Sequence, residues 1–197
     1  MSELICKKCG SEYPVVGNHL YLGLCPKCGE EHRILKRAIE DLDNAVPDPN
    51  KGLPDEIFYY ISRTTPLINV DLLIKDEKGR ILLAWRNDPY SGIGWHLPGG
   101  IIRYKETFEE RARKVAETEL GAKDIELSVI PREIDQHINN ERKDRGHFIA
   151  ILYKGTLSSS FIPPNLNLSE GDTGYAKWFE KCPDNLIKCH DIYRKYM

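Results

Sequence analysis

The chain lacks most of the features that assign a protein early. No apolar run approaches the roughly 20 residues of a membrane-spanning helix. The N-terminus, MSELICKKCG, lacks the apolar stretch of a secretory signal. There is no internal repeat and no low-complexity segment. An excess of one charge is also missing. The net charge of −2 argues against a strongly basic nucleic-acid surface and leaves only a local patch open. These absences make the cytoplasm the default location. Thiols stay reduced there, so the six cysteines are expected to be metal ligands or free thiols. What is present is ordinary for a soluble globular protein: 41% hydrophobic and 29% charged residues. A length of 197 residues suits one full domain plus a small module.

The small module is written in the cysteines. Cys6-Lys-Lys-Cys9 and Cys25-Pro-Lys-Cys28 are two C-x-x-C knuckles with fifteen residues between them, followed by Gly10 and Gly29. That is zinc-ribbon spacing, and glycine permits the tight turn that aims two sulfurs at one ion. Four thiolates close a tetrahedral shell and leave no position for water, so the expected Zn2+ is structural. A segment this short cannot bury a sufficient core, and the metal would supply the missing folding energy. Cys182 and Cys189, with His190 adjacent, lack metal spacing and read as free thiols.

Residues 30–44 read as a helix with Ile34, Leu35, Ala38, Ile39 and Leu42 on one face. Residues 46–52 carry the prolines and glycine of a linker. The expected organisation is a zinc ribbon over 1–30, a helix and linker over 31–52, and a second domain over 53–197. Within that domain a short helix is expected at 55–61. Strands are expected at 67–74 and 80–85, around the turn Asp76-Glu-Lys-Gly79. A helix follows over 107–120, ended by Gly121, with further strands at 148–153 and 175–179. Mixed strands and helices in this order predict an α/β sandwich.

The richest stretch runs from Trp95 to Ala122. It has the Gly99-Gly100 turn, Glu106 six residues after Gly100, then a helical run ending Glu119-Leu120-Gly121. This frame resembles a Nudix box, G-x5-E-x7-R-E-U-x-E-E-x-G-U with U aliphatic. Lys114 replaces the usual arginine, and Val115 and Thr118 replace two of the usual glutamates. Positions 115, 118 and 119 share one helix face. One carboxylate on that face suits one magnesium, which takes one or two carboxylates plus phosphate oxygens and water. A carbonyl of the Gly99-Gly100 turn is a candidate second ligand. Glu117 is expected to be solvated. Glu109, Glu110, Arg111 and Arg113 are expected to form an exposed charged face.

These departures resemble the GDP-mannose mannosyl hydrolase branch of the Nudix family, which also lacks the middle glutamates. The resemblance covers about two-thirds of the chain and extends to Arg63-Thr-Thr-Pro-Leu-Ile-Asn-Val-Asp71, Trp85-Arg86-Asn87 and Tyr90-Ser-Gly-Ile-Gly-Trp95. It implies a Nudix α/β/α sandwich with a mixed sheet. It also implies Mg2+ or Mn2+, with Gly99 (through its carbonyl), Glu119 and Asp172 as ligands, and Arg86 as the cation beside a leaving diphosphate. The branch's general-base histidine falls on Thr173, which cannot serve near neutral pH. His137 is the replacement, because imidazole titrates in the right range. Asp71, polar in an apolar strand, suits a substrate or base contact, with a buried structural aspartate as the alternative. His147 reads as a core or edge residue and His96 stays undecided. The loop over 165–174 could close over substrate.

Three functions remain open. The first is magnesium-dependent hydrolysis of a nucleoside diphosphate linked to a sugar, by attack at the anomeric carbon. The second is phosphoanhydride cleavage of an ADP-ribose-like or dinucleotide substrate. The third is a catalytically weak nucleotide-binding module whose zinc ribbon contacts a macromolecule. The expected partner is a nucleotide sugar. Neither a membrane nor nucleic acid is expected, and a homodimer stays open.

Overall fold

The computed structural model of the protein describes residues 3–6, 9–14 and 33–197. They belong to two units, Met1–Pro54 and Asp55–Met197. In the first unit β1 (Glu3–Ile5) pairs antiparallel with β2 (Glu12–Pro14). Between them the chain doubles back on Cys6. Its carbonyl accepts the Gly10 N–H at 2.8 Å and its N–H donates to Ser11 O at 2.9 Å. Gly10 has φ +69°, a conformation that costs glycine little. Cys25 and Cys28 lie outside the described residues, so the four-cysteine site is not on view. Helix α1 (Arg33–Ala45) follows, with Ile39 and Leu42 exposed.

The second unit opens with α2 (Asp55–Ser62) and is built on a mixed sheet. The strands are β3 (Leu67–Lys75), β4 (Ile81–Asp88), β5 (Gly92–His96), β6 (Gly99–Ile101), β7 (Glu126–Leu127), β8 (Glu133–Ile138), β9 (His147–Thr156) and β10 (Ala176–Phe179). The main path runs β10-β4-β3-β9-β7, with β5 on β4, β6 on β3 and β8 on β9. Only the β3–β9 pair is parallel among the named strands. Helix α3 (Phe108–Leu120) lies between β6 and β7. No helix of the described residues is long and apolar enough to cross a membrane.

Strand alternation sorts the core into two layers. Val70, Leu72, Ile74, Leu82, Ala84, Ile151 and Tyr153 pack with Ala112, Val115, Ala116 and Leu120 of α3. Leu73, Ile81, Leu83 and Leu152 face the other way and pack with Trp95, Leu97, Leu186 and Tyr193. Central strands covered on both faces read as continuous apolar runs, which is why Leu67–Lys75 looks almost uniformly hydrophobic. Tyr193 belongs to a 3-10 helix over Lys188–Tyr196. The sequence reading passed over this element, along with β5 to β8. Their strands are short, and the glycines of β5 and β6 hide the alternation.

Helix α3 is delimited by its own side chains. Thr107 caps the start in a reciprocal box with Glu110, and Gly121 ends it in the left-handed conformation at φ +66°. Gly121 and Ala122 return their N–H groups to Glu117 and Ala116. This places Glu119 in the last turn of the helix, where its carboxylate accepts the Gly99 N–H.

Candidate active site

The site begins where β6 crosses β3. Asp71 pairs in register with Gly99. A Cβ on Gly99 would collide with Asp71 Oδ1 and reach Val70 O at 3.0 Å, so only glycine lets these backbones approach. At Gly100 a Cβ would come within 2.9 Å of Val115 Cγ2 on α3. The Gly-Gly turn is therefore clamped between a strand carboxylate and the box helix.

The helix face that should carry glutamates does other work. Val115 is buried in the core. Thr118 returns its hydroxyl to Lys114 O at 2.7 Å and is exposed. Glu119 is the remaining carboxylate of the three, and it is half-buried. Burial pushes its carboxyl up to about 7, against Arg86 and the Gly99 N–H, which hold it down; Asp71 raises it further. Glu106 accepts from Arg103 N at 2.9 Å and from Arg111 Nε at 2.7 Å. Arg111, expected on an exposed face, is instead largely covered and ion-paired to Glu106 at 2.6 Å, because it ties the loop to the helix. Glu109 and Arg113 do pair at the surface as expected.

Asp71 is held from two sides. Asn69 Nδ2 donates to Oδ1 at 2.7 Å and Tyr193 OH donates to Oδ2 at 2.9 Å. Burial raises its carboxyl to about 6; the two hydrogen bonds and Arg86 pull it back. His190 lies beside it, with Nε2 3.8 Å from Oδ1. The Leu97 N–H donates to His190 Nδ1 at 3.0 Å, which assigns the proton to Nε2 and makes the ring neutral. Burial drives the His190 imidazole well below its usual value, helped by His96 and Arg86. His96 Nδ1 donates to Leu97 O at 2.7 Å, and burial together with Arg86 lowers its pKa to about 3.

Asp71, Gly99 and His190 border a cavity of about 780 Å³, together with Arg86, His137 and Arg145; Glu119 and His96 are not part of its lining. Arg86 is partly exposed, with Nε 3.4 Å from Asp88 Oδ2. His137 sits half-buried on β8, opposite Phe148. His147 is held by Gln136, 2.7 Å from its Nε2. Asp172 is not in the lining. It is exposed, and its carboxylate accepts Ser169 N–H at 2.8 Å. The surrounding loop is pinned to β10 through the Asn165 amide, which bonds both Ala176 N and Ala176 O at 2.8 and 2.9 Å. His190 and Cys189 border the cavity, although Cys189 was expected only as a free thiol and His190 as its neighbour. The only sequence signal was a histidine next to a cysteine in a segment without motif spacing.

Among the described residues no group of three or more His, Cys, Asp and Glu side chains is placed to hold a metal alone. The donors that fit magnesium here are the Glu119 carboxylate, the Gly99 backbone and the nearby Asp71, to be completed by phosphate oxygens and water. Such sparse protein ligation is what Mg2+ accepts and what zinc does not.

The family model described as the NUDIX domain matches residues 65–181, more than half of the chain, so the protein belongs to the Nudix family. Among curated proteins it is 30% identical over 120 residues to the low-salt glycan biosynthesis protein Agl8 of Haloferax volcanii, covering 59% of this chain and 76% of that one. Among solved structures it is similar to a MutT NUDIX hydrolase from Burkholderia pseudomallei. That match has TM-score 0.53 and 25% identity, over 66% of this chain and 97% of that one. A bifunctional NMN adenylyltransferase/ADP ribose pyrophosphatase from Francisella tularensis shares the fold at TM-score 0.50 and 17% identity. There 83% of this chain covers 47% of that one.

Proposed function

We propose that the protein is a magnesium-dependent Nudix hydrolase of nucleoside diphosphate sugars, which attacks the anomeric carbon. One observation carries this reading. The inner face of the box helix keeps a single carboxylate, Glu119, because Val115 is committed to the core and Thr118 to its own helix. Attack at phosphorus asks for a carboxylate cluster that assembles several ions around the water; attack at carbon asks only that the leaving diphosphate be neutralised. The relative named for glycan biosynthesis supports a substrate that is an activated sugar.

Magnesium, held by Glu119 and Gly99, would supply charge neutralisation to the diphosphate. The chain's own residues supply the rest. His137 takes the proton from water as its oxygen bonds to the anomeric carbon. The bond from that carbon to the diphosphate oxygen breaks, and its electron pair leaves with the diphosphate. Arg86 stabilises the charge that grows there. Asp71 is already engaged by Asn69 and Tyr193, so it serves as a fixed anionic contact rather than the base. Asp172 fits the ligand role only if its loop opens toward Glu119. A structural zinc on Cys6, Cys9, Cys25 and Cys28 completes the reading.

The test is hydrolysis in 18O-labelled water with a panel of nucleotide sugars. Label in the free sugar, with nucleoside diphosphate as the other product, supports the proposal. Label in a phosphate product moves the protein to diphosphate cleavage, a reading favoured by the proximity of Asp71 to Glu119 as a second carboxylate. Binding without turnover leaves the nucleotide-binding module. His137→Ala should remove most activity; a fully active variant would discard His137 as the base.

A further inference from the structure

Arg86, which lines the cavity, pairs with Asp88, and Arg63 pairs with Asp144. Arg142 and Arg145, on the loop between β8 and β9, also line the cavity and have no ion-pair partner at salt-bridge distance among the described residues. The Arg142 guanidinium donates to the neutral carbonyl of Tyr90. The Arg145 guanidinium lies 4.4 Å over the Tyr90 ring and 5.6 Å over the Phe58 ring. Its Nε is buried and has no hydrogen-bond partner.

The arrangement is built rather than incidental. Tyr90 OH is 2.8 Å from Tyr59 OH, which fixes the ring under Arg145. The Arg145 N–H donates to Ser62 Oγ at 3.1 Å, and Arg63 holds Asp144 at 3.2 Å, so the loop is fastened to α2. Arg145 adopts φ +55°, an uncommon backbone for a side-chain-bearing residue. A guanidinium with rings on its faces presents its edge, and that edge matches the planar oxygens of a carboxylate or phosphate. Arg145 acts on Tyr59 and, together with Arg86, on Asp88, whereas Glu119, Asp71 and His96 feel Arg86.

We propose that Arg145 and Arg142 form a second anion subsite, which takes a carboxylate or phosphate ester that the substrate carries in addition to its diphosphate. This rests on the nucleotide-sugar reading and narrows it to substrates with an extra negative charge. The group comes from the sugar, as a uronic acid, or from the ribose, as a phosphate.

Calorimetric titration with two matched pairs tests this, with magnesium present and turnover checked by product analysis. One pair is UDP-glucose and UDP-glucuronic acid; the other is ADP-ribose and its 2′-phosphate. In the wild type, the member of at least one pair that carries the additional anionic group should bind about tenfold or more tightly than the member without it, the scale of a charge-assisted bidentate contact. Which pair responds identifies the source. Arg145→Gln should collapse that ratio toward one, Arg142→Gln should reduce it, and Arg145→Lys should retain part of it. Arg142 is exposed, so its variant keeps the test alive if Arg145→Gln misfolds. Equal binding within both pairs overturns the subsite alone, as does a variant that weakens both members equally. Failure of all four ligands to bind overturns the nucleotide-sugar reading and the subsite together.

Discussion

Tyr193 donates its hydroxyl to Asp71 Oδ2 at 2.9 Å, across 122 residues of chain. One end is a fully buried phenol in the last helical segment; the other is a buried carboxylate at the centre of β3. The bond ties the core layer of Leu83, Trp95 and Tyr193 to the site, since the same Asp71 presses on Gly99. It also brings His190 into the cavity wall.

Tyr193→Phe keeps the ring and removes the donor. It should destabilise the protein by about 1–3 kcal/mol, the cost of leaving a buried acceptor short of a partner. Urea denaturation measures this directly. A variant with an unchanged midpoint would mean that water or His190 replaces the hydroxyl at no cost.

Glu119 and Glu106 should separate cleanly. Glu119→Gln should lower kcat by about a hundredfold or more, the scale of losing a principal electrostatic group at a reacting centre. Glu106→Gln should instead lower thermal stability, because Glu106 bonds Arg103 N and Arg111 within the loop. Comparing kcat and Tm for the two variants decides it. Equal activity of Glu119→Gln and wild type would place the metal elsewhere.

The pH dependence of stability should hinge on four titratable groups. Unfolded histidines charge as pH falls through 6.5, but burial keeps His96 neutral to about 3 and His190 well below its usual value. Their stabilising contribution is present above 6.5 and is lost as pH falls toward those folded values. Asp71 and Glu119 work in the opposite sense: raised from 3.8 to about 6 and from 4.5 to about 7, they contribute below their unfolded values and lose that contribution as pH rises through the folded ones. Between pH 7 and pH 5 the unfolded chain gains two protons, on His96 and His190, and the native state gains two, on Asp71 and Glu119. The net, 2 − 2, is zero, so wild-type stability should change little. With His96→Gln the count becomes 1 − 2, and stability should rise by on the order of 1 kcal/mol from pH 7 to pH 5. Urea midpoints of both proteins at the two values check this. A His96→Gln midpoint that does not rise on acidification would contradict the neutral, buried imidazole.

The zinc site should be visible to metal analysis. Protein purified without chelator should carry one zinc per chain, and Cys9→Ser or Cys25→Ser should release it. Loss of zinc should melt the N-terminal segment while leaving the Nudix domain folded, as two separate units allow. Metal-free protein whose four thiols alkylate freely would end the ribbon assignment.

Long periodic elements were legible in the sequence. Residues 67–74 and the box helix stand close to where they were expected, because a buried strand must be apolar throughout and a capped amphipathic helix announces both ends. Gly99 and Glu119 were legible as candidates through motif spacing, and Arg86 through the family resemblance. Short strands were not. β6 has only three residues, two of them glycines, and is defined by its partner β3 rather than by any propensity of its own.

The sequence by itself determined the family frame, the loss of two glutamates and the cysteine knuckles, because these are local spacings along one chain. Tertiary structure alone decided what occupies the vacated positions: Val115 in the core, and Arg111 folded back on Glu106. It also decided that Asp172 stands outside the cavity and that His190 and Tyr193 reach Asp71. The physical reason is that charge and burial are properties of neighbours in space. A histidine becomes neutral, or a carboxylate is raised toward neutrality, only when folding removes water and brings distant donors to it.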